Sequence, residues 1–127
     1  VSVFPTEPDA DPLADWLDSL RDIGRRVPDD VLVLPAHNEP FYGLHARLRG
    51  LDHGHQRALE RLKQALAEPK RVVDVFRSLF ARDVTTDAHL MSMATGEGIA
   101  HLNYLIGRGE ATESVDAHGV AWYRATS

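Results

Sequence analysis

Apolar residues along this chain fall at helical spacing in some stretches and in short runs or alternation in others, and the changes of spacing mark its elements. Leu13, Trp16, Leu17, Leu20 and Ile23 recur at three- and four-residue steps, the stripe of an amphipathic helix. Asp11 supplies its N-cap and Pro12 its first position, Arg25 and Arg26 fill the last turn, and Pro28 closes it. Before it, Thr6 to Asp11 is polar and Pro-bearing and reads as a loop. After it, Asp29-Asp30 turns the chain into Val31-Leu32-Val33-Leu34, a run of branched apolar residues that predicts a short strand buried on both faces and stopped by Pro35. A loop from Pro40 to Gly43 follows. The helical spacing returns over Leu44, Leu48, Leu51, His55, Leu59, Leu62 and Leu66, giving a long helix that Pro69 ends. Gly50 and Gly54 weaken it by about 1 kcal/mol each relative to Ala, and a bend there is expected.

Beyond Pro69 the elements shorten. Val72, Val73, Phe76, Leu79 and Phe80 predict a short helix, and Asp83 to Thr86 a connector whose Thr86 caps what comes next. Asp87 to Ile106 reads as a helix with Leu90, Ala94, Leu102, Leu105 and Ile106 turned inward and a break anticipated near Gly96 and Gly98. Glu97 and His101, one turn apart, are expected to pair across its surface as a structural contact. Gly107-Arg108-Gly109 ends it. Alternation over Ala111 to Val115, a turn at Asp116 to Gly119, and Val120 to Tyr123 predict a β-hairpin. The fold class is therefore α+β and mostly helical. Residues 1–43 form a partial α/β unit of helix and strand, residues 44–69 a connecting helix, and residues 70–127 a winged-helix-like module ending in the hairpin. A lone helix–strand step cannot cover its own apolar strand, so more sheet is required. With Val1 rather than Met in first place, the chain is expected to be a piece of a longer protein.

Charge changes the picture of partners. The formal net charge is −5 over 127 residues, but it is unevenly spread. Residues 1–43 carry nine acidic and three basic side chains, residues 44–82 four and nine, and residues 83–127 six and two. The basic middle is a candidate contact for phosphate or an acidic partner, although a solvated helix face is the better account of it. Winged helices often bind DNA, yet Asp87 to Ile106, the candidate recognition helix, contains no Lys or Arg, and Arg124 of the hairpin is set against Glu110, Glu113 and Asp116. Phosphate binding draws mainly on Lys and Arg, so nucleic-acid binding by this tail is not expected. Covering a substrate opening, packing on a catalytic domain and self-association fit it better.

The chemistry that remains is sparse. There is no Cys, which excludes disulfides, thiolate metal sites and a Cys nucleophile and fits a cytoplasmic protein. No stretch is apolar enough to span a membrane, and no signal peptide is seen. There is no Gly-rich phosphate loop, no His-Glu-x-x-His and no Gly-x-Ser-x-Gly, and Ser19, Ser78 and Ser92 have no base arranged beside them. His37 stands out by position, just past the carboxyl end of the predicted strand, where open α/β sheets place their ligands. Phe41 and Tyr42 are near enough in sequence to wall a site around it. An isolated His after a strand is more often an ordinary loop residue.

The surrounding residues alter that balance. Leu34-Pro35-Ala36-His37-Asn38-Glu39-Pro40-Phe41 resembles the late metal-ligand segment of the metallo-β-lactamase superfamily, usually Leu-Pro-Gly-His-Gly followed by a Pro. Val1 to Pro5 and Asp11 to Leu20 resemble the segment that follows the family's bridging aspartate. Arg47-Leu48 with His53-Gly54-His55-Gln56-Arg57 resembles its ligand-proximal helix, and Glu97-Gly98-Ile99-Ala100-His101-Leu102 part of the winged-helix tail of some members. Ala36 and Asn38 depart from the usual Gly, and Asn tolerates positive φ better than most residues.

The resemblance implies a parent hydrolase with two metal ions, usually zinc, in which His37 ligates the second ion and a metal-bound water attacks an ester, thioester or similar small-molecule substrate. The first ligand motif, His-x-His-x-Asp-His, is absent, and the bridging Asp would precede Val1. The chain alone is thus expected to be inactive and to bind zinc weakly, with the rest of the parent catalytic domain as its partner. His53-Gly54-His55 cannot stand in for the first motif, because helical positions two apart point about 200° from one another. His53, Arg57 and Tyr42 are candidates for orienting a ligand or substrate, the first two through the family's His-x-x-x-Arg spacing. His55 reads as a helix–core position. The alternative is a non-catalytic helical module that binds protein or nucleic acid through its basic middle.

Overall fold

A computed structural model describes all residues from Val1 to Ser127. Helix α1 spans Pro12–Arg26 and starts as expected, with the Asp11 carboxylate accepting the Ala14 N–H at 3.2 Å. It buries Leu13, Leu17 and Leu20, while Trp16 and Ile23 fall at the edge of the stripe, about two-fifths exposed. Helix α2, Leu44–Ala65, is the long helix of the middle. A 3₁₀ turn, Val72–Val75, runs directly into the single-turn helix α3, Phe76–Leu79. Helix α4 spans Ala88–Gly107, and strands β1, Ala111–Val115, and β2, Ala121–Ala125, close the chain. No helix is long and apolar enough to cross a membrane.

One cluster holds these pieces together. Leu13, Leu17 and Leu20 of α1, Leu44, Leu48, Leu59 and Leu62 of α2, Leu66, Val75, and Leu102, Tyr104 and Leu105 of α4 are mutually packed, with Ala111 and Tyr123 from the hairpin. Burying leucines from three helices against one another is the main source of stability here, each fully buried side chain contributing about 1.5–3 kcal/mol. The chain is mostly helical with an antiparallel two-stranded hairpin, in register from Ala111 opposite Ala125 to Val115 opposite Ala121. Its turn is fastened by Asp116, whose carboxylate accepts from the backbone of His118 and Val120 and from the Trp122 indole N–H, and by Gly119 at φ 80°. The second strand is stitched to the chain after α2: Lys70 and Tyr123 exchange both backbone hydrogen bonds, at 2.9 and 2.7 Å.

Helix α4 departs from expectation in three ways, two of them tied to close packing. It runs unbroken through Gly96 and Gly98, glycines that neighbours approach closely: a side chain at Gly98 would collide with Val72, and one at Gly96 would be tight against Ser2 and Val3. Its cap is Asp87, whose carboxylate accepts the Leu90 N–H, rather than Thr86. His101 is buried, so the expected surface pair with Glu97 is replaced by a contact to the Glu97 backbone carbonyl. The amino-terminal segment lies along this helix: the Val3 N–H donates to the Gly96 carbonyl at 3.0 Å, and the Asn103 amide donates to the Pro8 and Ala10 carbonyls.

The predicted strand at Val31 to Leu34 shrinks to a single bridge. Val33 and Phe41 exchange two backbone hydrogen bonds, 2.8 and 3.1 Å, and no other strand pairs with them. Val31 and Val33 lean on the core, but Leu32 is 51% and Leu34 74% exposed, so the run is buried on one face only. The physical reason is the absence of a neighbouring strand among these residues: a double-faced apolar run needs sheet beside it and layers on both sides.

Candidate functional site

The His37 loop is built from three fastenings. Val27 caps α1 in an extended conformation, donating to the Ile23 carbonyl, and its own carbonyl lies 2.8 Å from the His45 Nε2. A carbonyl only accepts, so that nitrogen carries the hydrogen. The Asp29 carboxylate then accepts the His45 backbone N–H at 2.8 Å. This matters because Gly43, the N-cap of α2 at φ 94°, has no side chain to cap the helix, and Asp29 supplies the missing acceptor from sixteen residues away. The Val33–Phe41 bridge is the third fastening and pinches Leu34 to Pro40 into a loop. The Phe41 ring is in turn covered by the Arg47 guanidinium, 4.2 Å from its centroid.

At the tip of that loop His37 is exposed, and Asn38 beside it adopts φ 71°, the only non-Gly residue of the chain with positive φ. Tyr42 is 70% exposed. His53 and Arg57 lie one turn apart on the exposed face of α2, and neither they nor Tyr42 make a hydrogen bond or ring contact with His37. No group of three or more His, Cys, Asp or Glu side chains is arranged to hold a metal. The donors present therefore do not form a metal site by themselves; His37 offers one imidazole on a braced loop. One histidine escaped the sequence reading altogether: His45 braces the loop through Val27 and Asp29, a long-range pairing that no periodicity signals. His55 is half-buried, as a helix–core position should be, and its ring lies against that of His101, a contact that its place in the stripe does not reveal.

A family model described as "Metallo-beta-lactamase-like, C-terminal domain" matches residues 59–126, more than half of the chain. The chain belongs to the metallo-β-lactamase-like family. A beta-lactamase domain protein from Burkholderia ambifaria shares 38% identity with this family member and superposes with a TM-score of 0.92, over 99% of this chain and 37% of that one. A metallo-beta-lactamase family protein from Thermus thermophilus shares 25% identity at a TM-score of 0.80, again over 99% and 37%. The chain thus spans about 37% of the length of these relatives. No curated protein matches the sequence. His37, Tyr42, His53 and Arg57 precede the stretch that the family model covers, and the two solved relatives extend the likeness over them. Asn38, at φ 71°, holds a left-handed backbone that Asn tolerates better than most residues.

Proposed function

We propose that the chain is the C-terminal part of a metal-dependent, dizinc hydrolase of the metallo-β-lactamase superfamily, in which His37 is one ligand of the second ion. Residues 1–43 end the catalytic α/β domain, residues 44–69 connect, and residues 70–127 form a winged-helix-like tail. The observation that carries this reading is the His37 loop, an exposed imidazole held between the Val33–Phe41 bridge and the His45–Asp29 brace. Leu32 and Leu34 supply the apolar face on which the remainder of the sheet would sit, their exposure being that of a surface cut open rather than one built for water. Tyr42, His53 and Arg57, all exposed, are the residues assigned to orienting a ligand or substrate. Without the other ligands the chain by itself is inactive, and its substrate, an ester, thioester or similar small molecule, is bound mostly by residues outside these 127. The absence of Cys agrees with a cytoplasmic setting.

The test uses the full-length protein. His37→Ala should lower its zinc content and its hydrolytic turnover together, whereas the 127-residue chain alone should show neither turnover nor stoichiometric zinc. Full metal content and activity in His37→Ala overturn the ligand role, and turnover by the isolated chain overturns its predicted inactivity.

A second reading rests on the outer face of α2. Arg49 and Arg57 form no ion pair there, in contrast to α1, where Arg21, Arg25 and Arg26 are each paired with an aspartate. A non-catalytic module for an acidic protein or nucleic acid would use that face. Its mark is binding that falls steeply with salt.

A further inference from the structure

His55 of α2 and His101 of α4 meet inside the molecule, their ring centroids 5.6 Å apart and their planes tilted by 40°. His101 is 6% exposed, the one polar side chain in the buried set. Its Nδ1 lies 2.8 Å from the Glu97 carbonyl oxygen. Since the carbonyl can only accept, Nδ1 holds the hydrogen and Nε2 is the bare nitrogen of a neutral ring. No carboxylate oxygen is hydrogen-bonded to either imidazole; Glu97 and Asp52 act on His55 only through space. Leu59 and Leu62 of α2 share one leucine core with Leu102 and Leu105 of α4.

We propose that the His55–His101 contact is a proton-sensitive clasp between α2 and α4, closed while both rings are neutral and loosened when mildly acidic solution charges them. Both helices lie within this chain, so the clasp does not depend on the catalytic reading above.

The surrounding charges decide the direction. His101 is held below its ordinary pKa chiefly by burial; the Glu97 carbonyl bond opposes this, while His55 and Arg61 of α2 add to it. His55 is lowered chiefly by burial, against Glu97 from α4 and Asp52 from its own helix, which favour its cation. A folded pKa below the unfolded value of about 6.5 means that the unfolded chain binds more protons. The contribution to stability is therefore complete above about pH 6.5 and is lost as pH falls through the depressed folded values.

Two measurements test the clasp: an NMR titration of the imidazole Cε1–Hε1 signals from about pH 8 to about pH 5, and hydrogen exchange of the α4 amides at both ends of that range. Both are made on the chain and on its His55→Gln variant, which keeps the His101–Glu97 bond and removes only the partner ring. The clasp requires both rings to titrate below about pH 6.5. It also requires α4 protection, corrected for intrinsic exchange, to fall about tenfold or more at the acid end. In His55→Gln, His101 should titrate higher and the acid loss of protection should shrink. Rings that titrate at the ordinary value, or an acid response of α4 identical with and without His55, overturn it. His101→Gln is a secondary variant; should it fail to fold, the wild-type titration and His55→Gln still decide.

Discussion

Helices α2 and α4 are nearly equal in length, 22 and 20 residues, and each carries two internal glycines, yet the glycines do opposite things. A Cβ added at Gly50 or Gly54 of α2 would meet nothing within 4 Å. One added at Gly98 of α4 would lie 2.8 Å from the Val72 Cγ2, and one at Gly96 3.1 Å from the Ser2 Cβ and 3.2 Å from the Val3 carbonyl oxygen. Around α4 the neighbours arrive from several sides: α1, the 3₁₀ turn, the hairpin and the amino-terminal segment. Its buried residues accordingly ring the helix, from Ala94 and Ala100 to Leu102 and Leu105. Helix α2 buries one stripe and leaves the other face open. The same residue type is thus a packing requirement in one helix and a weakness in the other, and only the neighbours distinguish them.

The largest effect expected from this contrast is on the leucines. Leu102→Ala, at a site with no exposure, should cost about 2–5 kcal/mol by urea unfolding, the lost transfer energy plus the cavity left behind. Leu51→Ala on α2, at a site 38% exposed, should cost well under half as much. Equal costs at the two sites would mean that α2 is covered where it now looks open.

Next comes Gly98→Ala. Overpacking against Val72 should cost about 1–3 kcal/mol, partly offset by about 1 kcal/mol of better helix propensity. Val72 cannot swing away freely, because a β-branched side chain has few rotamers. Truncating that side chain as well, in Gly98→Ala with Val72→Ala, should therefore recover most of the penalty in a double-mutant cycle. Additive losses would place the strain elsewhere.

These contrasts also show what could be read from the residues alone. The stripe of α1 with its Asp11 cap, the extent of α2, and the hairpin with its Asp116–Gly119 turn follow from local spacing and local hydrogen bonds, and each is found where expected, β2 extending on to Ala125. Apart from the cap of α4, where Asp87 and not its neighbour Thr86 accepts the Leu90 N–H, the misses depend on residues distant in sequence. Gly96 and Gly98 look like helix breakers until Ser2, Val3 and Val72 are seen against them. His101 looks like a surface residue until α4 is seen to be surrounded. Val31 to Leu34 has the composition of a central strand but lacks the sheet that would make it one. As for the proposed site, the family likeness singled out His37, and the φ of 71° at Asn38 suits a residue that tolerates the left-handed region, whereas the Asp29–His45 brace that holds the loop was not legible. An acceptor sixteen residues from its donor leaves no pattern in the chain.

The smallest expected effect is also the one that separates the two helices by sign. Gly50→Ala and Gly54→Ala introduce a methyl group into open space on a helical backbone, with no positive φ to forbid it. Alanine loses less backbone freedom on folding than glycine and is the better helix former, so each change should stabilise the chain by about 0.4–1 kcal/mol. The sites are one turn apart, so the pair can be tested together, and near-additivity is expected because neither methyl group touches the other's neighbours. Measured beside Gly98→Ala, the same chemical change should raise the urea midpoint in α2 and lower it in α4. A loss of stability at Gly50 or Gly54 would show that this face of α2 is packed against something, and a rigid bend or an unseen contact at these positions would then replace simple exposure as the reason for glycine.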